Sequence, residues 1–369
     1  SPGPNRATPP AVAVSRSDVP RLKNLLWEDW QKGQAERITR ELSDKRIVIG
    51  DKSLKWMEKD FGNAPDGKHS LWITLHGGGQ GTEEENDQNW KGYFGRYEFP
   101  PGAINVAPRA PANTWDMWHV PCVDELLDRL IADMVAQRGV EPDRVYLIGY
   151  SAGGDGVYQL APRMADRFAA ATMCAGHPNA VTPEGLRNLP FFLFMGGEDA
   201  AYHRNTVVRE FSSKMDALQA ADPHGYSHRL TVYPGLQHNM QGREAEVIPI
   251  MAGLRRAAWP QRVVWKENDN FVHQRLYWLE RAPGAANPDE IYAAHVDGQT
   301  VTIEAPASGK LTLRLSDELL DLDKPVRVVA GGKTVFVGTV PRSLAAISQS
   351  IQERPDPSTA ASALLSVAW

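Results

Sequence analysis

The sequence predicts an α/β protein, a mostly parallel sheet flanked by helices, followed by a β-rich appendage. Three observations lead there. Short apolar runs alternate with stretches of helical periodicity as far as Pro260. Those runs are apolar on both faces, as strands covered by helices on each side require. Past Pro260 the helical periodicity gives way to short strands separated by turn residues. The 369 residues also exceed the usual size of one compact domain.

Taken in order, 19–42 has helical spacing, and the runs 46–50 and 55–61 read as a hairpin turning at Gly50 and Asp51. Buried strands are expected at 71–75, 104–107, 145–148, 169–174, 191–195 and 229–233. Helices fit between them at 123–138, 152–167 and 205–221. The appendage is expected to hold strands at 271–279, 291–295, 300–304, 310–315, 326–329 and 334–337, with a helix over 342–353. The domain reading is therefore a flexible tail over 1–18, the helix-flanked domain over 19–262, and a β-sandwich-like accessory domain over 263–369. In that last segment Trp265, Phe271, Tyr277 and Trp278 are expected to fill a core rather than form an exposed binding platform.

Composition excludes several classes. Net charge is -5, charged residues make up 23%, and no long run of Lys and Arg occurs, so nucleic acid is not an expected partner. No apolar run approaches the roughly 20 residues of a membrane span, so a soluble chain is expected. Cys122 and Cys174 form either one bridge or two thiols, and neither has a Cys or His at zinc-ligand spacing. Neither metal nor cofactor is expected. The Pro- and Ala-rich start resembles that of a processed protein, which leaves a secreted or periplasmic protein and a cytoplasmic one both open.

The chemistry is concentrated in four loops. The stretch 145–154, VYLIGYSAGG, places Ser151 in Gly-x-Ser-x-Gly directly after a strand and before a helix whose Val157, Leu160 and Met164 share one face. Such a sharp turn exposes the serine, and Gly149 and Gly153 leave room for it. A serine hydroxyl is a poor nucleophile at neutral pH, so it needs a base, and the base needs an acid to fix its tautomer. Asp199 follows the strand 191–195, and His238 follows the strand 229–233, both at carboxyl ends of parallel strands. They are the candidate acid and base, with the neighbouring Glu198 as the competing acid. Past the strand 71–75 comes His76-Gly77-Gly78-Gly79; Gly77 or Gly78 would supply one backbone donor to an oxyanion and Ala152 the other. Trp115, Trp118 and His119, in RAPANTWDMWHV over 109–120, are candidate substrate contacts, as are Arg109, His177 and Tyr202.

With HGGGQ at 76–80, GYSAGG at 149–154, GGED at 196–199 and GLQH at 235–238, the chain resembles the α/β-hydrolase superfamily over roughly 47–260. Within it the likeness is to serine esterases similar to polyhydroxybutyrate depolymerases, feruloyl esterases and the carboxylesterase/phospholipase group. The resemblance implies an α/β-hydrolase fold and a Ser151, Asp199, His238 triad that cleaves a carboxylic ester through an acyl-enzyme. Only 175–189 separates two strands where lidded relatives insert a cap, so an open site is expected, suited to a bulky, polymer-linked or carbohydrate-linked ester as the partner. Two alternatives stand beside it: a serine peptidase resembling prolyl oligopeptidase, for whose large amino-terminal propeller there is no room before Ile47, and a non-catalytic binding protein of the same fold.

Overall fold

The structure, a computed structural model, describes residues 13–266, 268, 273–282 and 290–369. These divide into two units, one of 40–257 with 268, the other of 13–39, 258–266, 273–282 and 290–369. Helix α1 (Val19–Asp44) runs across the division. Among the described residues, no helix is long and apolar enough to cross a membrane.

The first unit is built on strands β1 (Arg46–Ile49), β2 (Lys52–Asp60), β3 (His69–Leu75), β4 (Ala103–Pro108), β5 (Val140–Tyr150), β6 (Ala170–Cys174), β7 (Phe191–Gly196) and β8 (His228–Tyr233). The helices between and after them are α2 (Glu83–Tyr93), α3 (Cys122–Gln137), α4 (Ala152–Arg163), α5 (Arg204–Ala221) and α6 (Ile248–Ala252). The eight strands form one sheet in the order β1-β2-β4-β3-β5-β6-β7-β8, parallel from β4 to β8 and antiparallel at β1 and β2. Every residue of β4, β6 and β7 is buried, which is why these strands read as unbroken apolar runs. The order in which strands are added to the sheet reverses between β3 and β5, since β4 lies outside β3 and β6 outside β5. Loops leaving the carboxyl ends of β3 and β5 therefore start side by side, the position where open α/β sheets form their clefts.

Helix α2 was not anticipated. It has no apolar stripe, burying only Asn86 and Trp90, and is started by a capping box. Thr82 accepts the Glu85 amide at 3.2 Å while Glu85 accepts the Thr82 amide at 2.7 Å.

The second unit holds β9 (Arg262–Trp265), β10 (Arg275–Leu276), β11 (Leu279–Arg281), β12 (Tyr292–Asp297), β13 (Thr300–Ala305), β14 (Lys310–Leu315), β15 (Val326–Ala330), β16 (Lys333–Gly338), α7 (Leu344–Glu353) and β17 (Ala363–Ala368). They form a four-stranded sheet, β10-β11-β14-β17, and a five-stranded one, β16-β15-β13-β12-β9. Where a strand is expected over 271–279, the described residues from 275 onward form a tight hairpin instead, because Tyr277 takes a positive φ of 52° and Leu276 pairs with Leu279. Phe271 lies outside the described residues. Trp265, Tyr277 and Trp278 are buried. Residues 13–39, assigned from sequence to the tail and the helix-flanked domain, group with this unit: Val19 joins Ile347, Ile351 and Ala360 in one cluster, against which Val14, Leu22, Leu26, Trp27 and Trp30 pack. Of the expected flexible tail over 1–18, Ala13 bridges to Ser343, and 1–12 lie outside the described residues.

Candidate active site

Strand β5 delivers Ser151 into a strained turn, φ 57° and ψ -122°, before α4 begins at Ala152. Such dihedrals are sparsely populated and persist only where neighbours enforce them. Here the enforcement is close packing: a Cβ on Gly149 would lie 2.0 Å from the Gly153 carbonyl oxygen, and one on Gly153 would lie 2.1 Å from that of Leu75. The Ser151 amide is tied to the Cys174 carbonyl at 2.9 Å, and α4 is anchored by the fully buried pair of Arg163 and Asp124, 2.7 Å apart.

Strands β7 and β8 are neighbours, so the loops that follow them meet. A Cβ on Gly196 would sit 2.0 Å from the Gln237 carbonyl oxygen, so only glycine allows this approach. His238 Nδ1 lies 2.7 Å from Asp199 Oδ2, and its Nε2 lies 2.9 Å from Ser151 Oγ. A carboxylate only accepts, which puts the proton on Nδ1 and leaves Nε2 to accept from the serine. Asp199 is 3% exposed and is further fixed by a turn in which its carbonyl accepts the Asn205 amide at 3.0 Å. Glu198 beside it is exposed. Arg204 Nη1 stands 3.6 Å from the second Asp199 oxygen, and its guanidinium lies 4.8 Å over the Tyr202 ring.

The glycine loop after β3 is held at both ends of the His76 ring. Nδ1–H donates to the Gly77 carbonyl at 2.7 Å and Nε2 accepts the Ala110 amide at 3.1 Å. Burial holds this imidazole down to about 4, so it is neutral. Gly77 packs directly on the candidate nucleophile, since a Cβ there would lie 3.0 Å from Ser151 Cβ. The Gly79 amide is taken by Asn86 Oδ1 at 2.8 Å.

Ser151 and Ala152 open onto a cleft of about 380 Å³ whose wall also includes Gly78, Trp115, Asp155, His177, Tyr202 and Arg204. Of the candidate substrate contacts, Trp115, His177 and Tyr202 lie on this wall. Three other candidates do not. Arg109 is 5% exposed and fully engaged, donating from Nε to Asp87 at 2.7 Å and from Nη1 to the Ala110 and Ala112 carbonyls. It props the loop and faces no substrate. Trp118 is completely buried, its indole N–H donating to the His76 carbonyl at 3.0 Å and its ring lying under Gly156. His119 is buried too, with its ring edge against Trp115 at 5.3 Å.

Asp155 was missed, although four residues past Ser151 on a helix is one turn along the same face. Its Oδ1 accepts the His177 amide at 2.6 Å, and burial pushes its carboxyl up to about 6. Burial likewise lowers His177 from its ordinary value. Arg204 has no sequence signal, being five residues past the acid in an unremarked helix start. Both cysteines are free thiols, Cys174 buried and Cys122 partly so.

Residues 98–269 match the dienelactone hydrolase family. The first unit has an α/β-hydrolase-like fold. A poly(3-hydroxybutyrate) depolymerase of Ralstonia pickettii is 29% identical over 147 residues, a match spanning 34% of this chain and 29% of that protein. Among solved structures, a thermostable esterase is 21% identical with a TM-score of 0.42, covering 58% of this chain and 64% of its own. A poly(3-hydroxybutyrate) depolymerase from Bordetella parapertussis is 18% identical with a TM-score of 0.42, covering 58% and 91%. The candidate site lies in the matched segment and in the loop after β3 just before it.

Proposed function

We propose that the chain is a serine carboxylic ester hydrolase working through an acyl-enzyme, with Ser151 as nucleophile, His238 as base and Asp199 as the acid that orients it. The observation carrying this reading is the continuous chain from Asp199 Oδ2 through His238 to Ser151 Oγ, with contacts of 2.7 and 2.9 Å. His238 Nε2 takes the serine proton as Oγ attacks the ester carbonyl. The oxyanion forms beside the amides of Ala152 and of Gly77 or Gly78, where fixed backbone dipoles stabilise charge without reorganising. Collapse returns the proton from His238 to the departing alcohol, and water then enters by the same route to release the acid. Asp199 keeps Nδ1 protonated throughout, so Nε2 always faces the serine.

The bound ester reaches Ser151 through an open cleft, on whose wall the segment 175–190 places His177 and Asn179, its one regular element being a short 3₁₀ turn. Bulky esters are accommodated for that reason. The β-rich residues 263–369 serve as an accessory domain that carries no member of the triad. Hydrolysis of 4-nitrophenyl acetate and butyrate tests the reading: the native chain should turn over both, and Ser151→Ala should lose at least about three orders of magnitude in kcat.

A further inference from the structure

A second hollow, of about 330 Å³, adjoins the cleft along the exposed side of α2. Gly79 and Gln80 line both, so the two are neighbours across this loop. Its side chains are the exposed amides Gln80, Gln88 and Asn89, set over a floor of Gly79, Gly81 and the buried Asn86. Each primary amide presents two donors and one acceptor and carries no charge. The carboxylate at the rim, Glu85, is already committed to the Thr82 amide and hydroxyl at 2.7 and 3.0 Å. The hollow therefore offers donors and acceptors in quantity, with one carboxylate at its rim already held by Thr82, no cation and no apolar side chain on its wall.

At its junction with the cleft stands Trp115, 49% exposed and pinned by the edge of the His119 ring. The loop carrying it abuts the glycine loop: a Cβ on Gly79 would lie 2.9 Å from Trp115 Cα. An indole surface beside a row of neutral amides matches one kind of molecule. A sugar ring has hydroxyls that both donate and accept, and a C–H face that stacks on an aromatic ring. An aliphatic polyester has acceptors alone, so its methylene segments would strip water from the amide donors and leave them unpaired. An anionic group would find no cation there.

We infer that this hollow is a glycosyl subsite, holding the neutral carbohydrate part of an ester whose carbonyl reaches Ser151. The inference rests on the serine esterase reading and narrows its substrate from bulky esters in general to sugar esters.

The test is steady-state hydrolysis by the full chain of three probes: 4-nitrophenyl acetate, an acetylated neutral xylo-oligosaccharide, and a linear trimer of 3-hydroxybutyrate. The sugar ester should exceed the hydroxybutyrate trimer in kcat/KM by about tenfold or more. In Gln88→Ala, an exposed position, the ratio of kcat/KM for the sugar ester to that for 4-nitrophenyl acetate should fall about five- to tenfold, mainly through KM. Trp115→Ala should lower the same ratio by a similar factor. A native enzyme that cleaves 4-nitrophenyl acetate yet prefers the hydroxybutyrate trimer overturns the subsite, as do ratios unchanged in both variants, and either result leaves the esterase standing. A native chain no faster on 4-nitrophenyl acetate than Ser151→Ala contradicts the esterase reading itself and removes the basis of the subsite with it.

Discussion

The hydroxyl of Tyr150 donates to the backbone carbonyl of His238 at 2.5 Å, so the residue before the candidate nucleophile holds the loop that carries the candidate base. The same hydroxyl accepts the Met240 amide at 3.1 Å, and Arg96, paired at 2.7 Å with the buried Glu244, lies 4.4 Å over the ring. Tyr150→Phe keeps the ring and loses both hydrogen bonds. Its kcat on 4-nitrophenyl esters should fall about tenfold with KM little changed, because a looser His238 misaligns the proton transfer rather than the bound ester. A kcat equal to that of the native enzyme would show that the hydroxyl does not position the base.

Asp199 and Glu198 are adjacent in sequence and opposite in environment. The first is buried against His238, the second exposed. Asp199→Asn should lower kcat by about three to four orders of magnitude, since an amide turns the imidazole to the wrong tautomer. Glu198→Gln should change it by less than about threefold, the scale of a screened surface charge. The reverse pattern would move the acid by one residue.

Asp155 makes a prediction about stability. Its folded carboxyl sits at about 6, raised by burial from an ordinary 3.8. The folded state therefore binds this proton more tightly than the unfolded chain, and the stability it contributes is present below about 4 and lost as pH rises to about 6. Above that, the buried carboxylate costs about 2 to 3 kcal/mol. Asp155→Asn retains an acceptor for the His177 amide and removes the charge, so the variant should melt several degrees higher than the native chain at pH 8 and nearly with it at pH 4. Equal melting temperatures at pH 8 would contradict the burial argument.

Arg109 should behave as a structural residue. Arg109→Gln leaves Asp87 with Lys55 alone, at 3.3 Å, and strands two loop carbonyls. Urea unfolding should report a loss of about 2 to 3 kcal/mol. The preference between neutral and carboxylate-bearing esters should stay the same in the folded enzyme, and a shift against the acidic ester would return Arg109 to the cleft.

The strands and the four loops were legible because each depends on local pattern. Val145 to Ile148 reads as a buried strand from its own side chains, and a strand followed by Gly149, Ser151 and Gly153 admits few conformations. Their convergence was legible as well, since parallel strands release their loops at one edge of the sheet. What remained hidden was set by distant partners. Nothing near Arg109 announces that Asp87 on α2 will take it, and α2 itself was overlooked because only its Thr82 to Glu85 box, not periodicity, marks it. Trp115 and Trp118 look alike in sequence; one is half exposed and the other lies beneath Gly156, a difference decided by how α4 packs on the loop. The allegiance of Val19 to Ile347 and Ile351 spans more than three hundred residues of chain, beyond any window of periodicity. Strand β17 escaped notice for a related reason, as its six-residue pairing with β14 supplies what its mixed sequence does not.

The central claim is that Ser151 is a covalent nucleophile activated by His238. It is tested most directly by treating the full chain with a fluorophosphonate and reading the intact mass, followed by peptide mapping. The account predicts a single adduct on the native protein, located on Ser151, with no adduct on Ser151→Ala and strongly slowed labelling of His238→Ala. Equal labelling of the native chain and Ser151→Ala, or an adduct mapped to another residue, would contradict it.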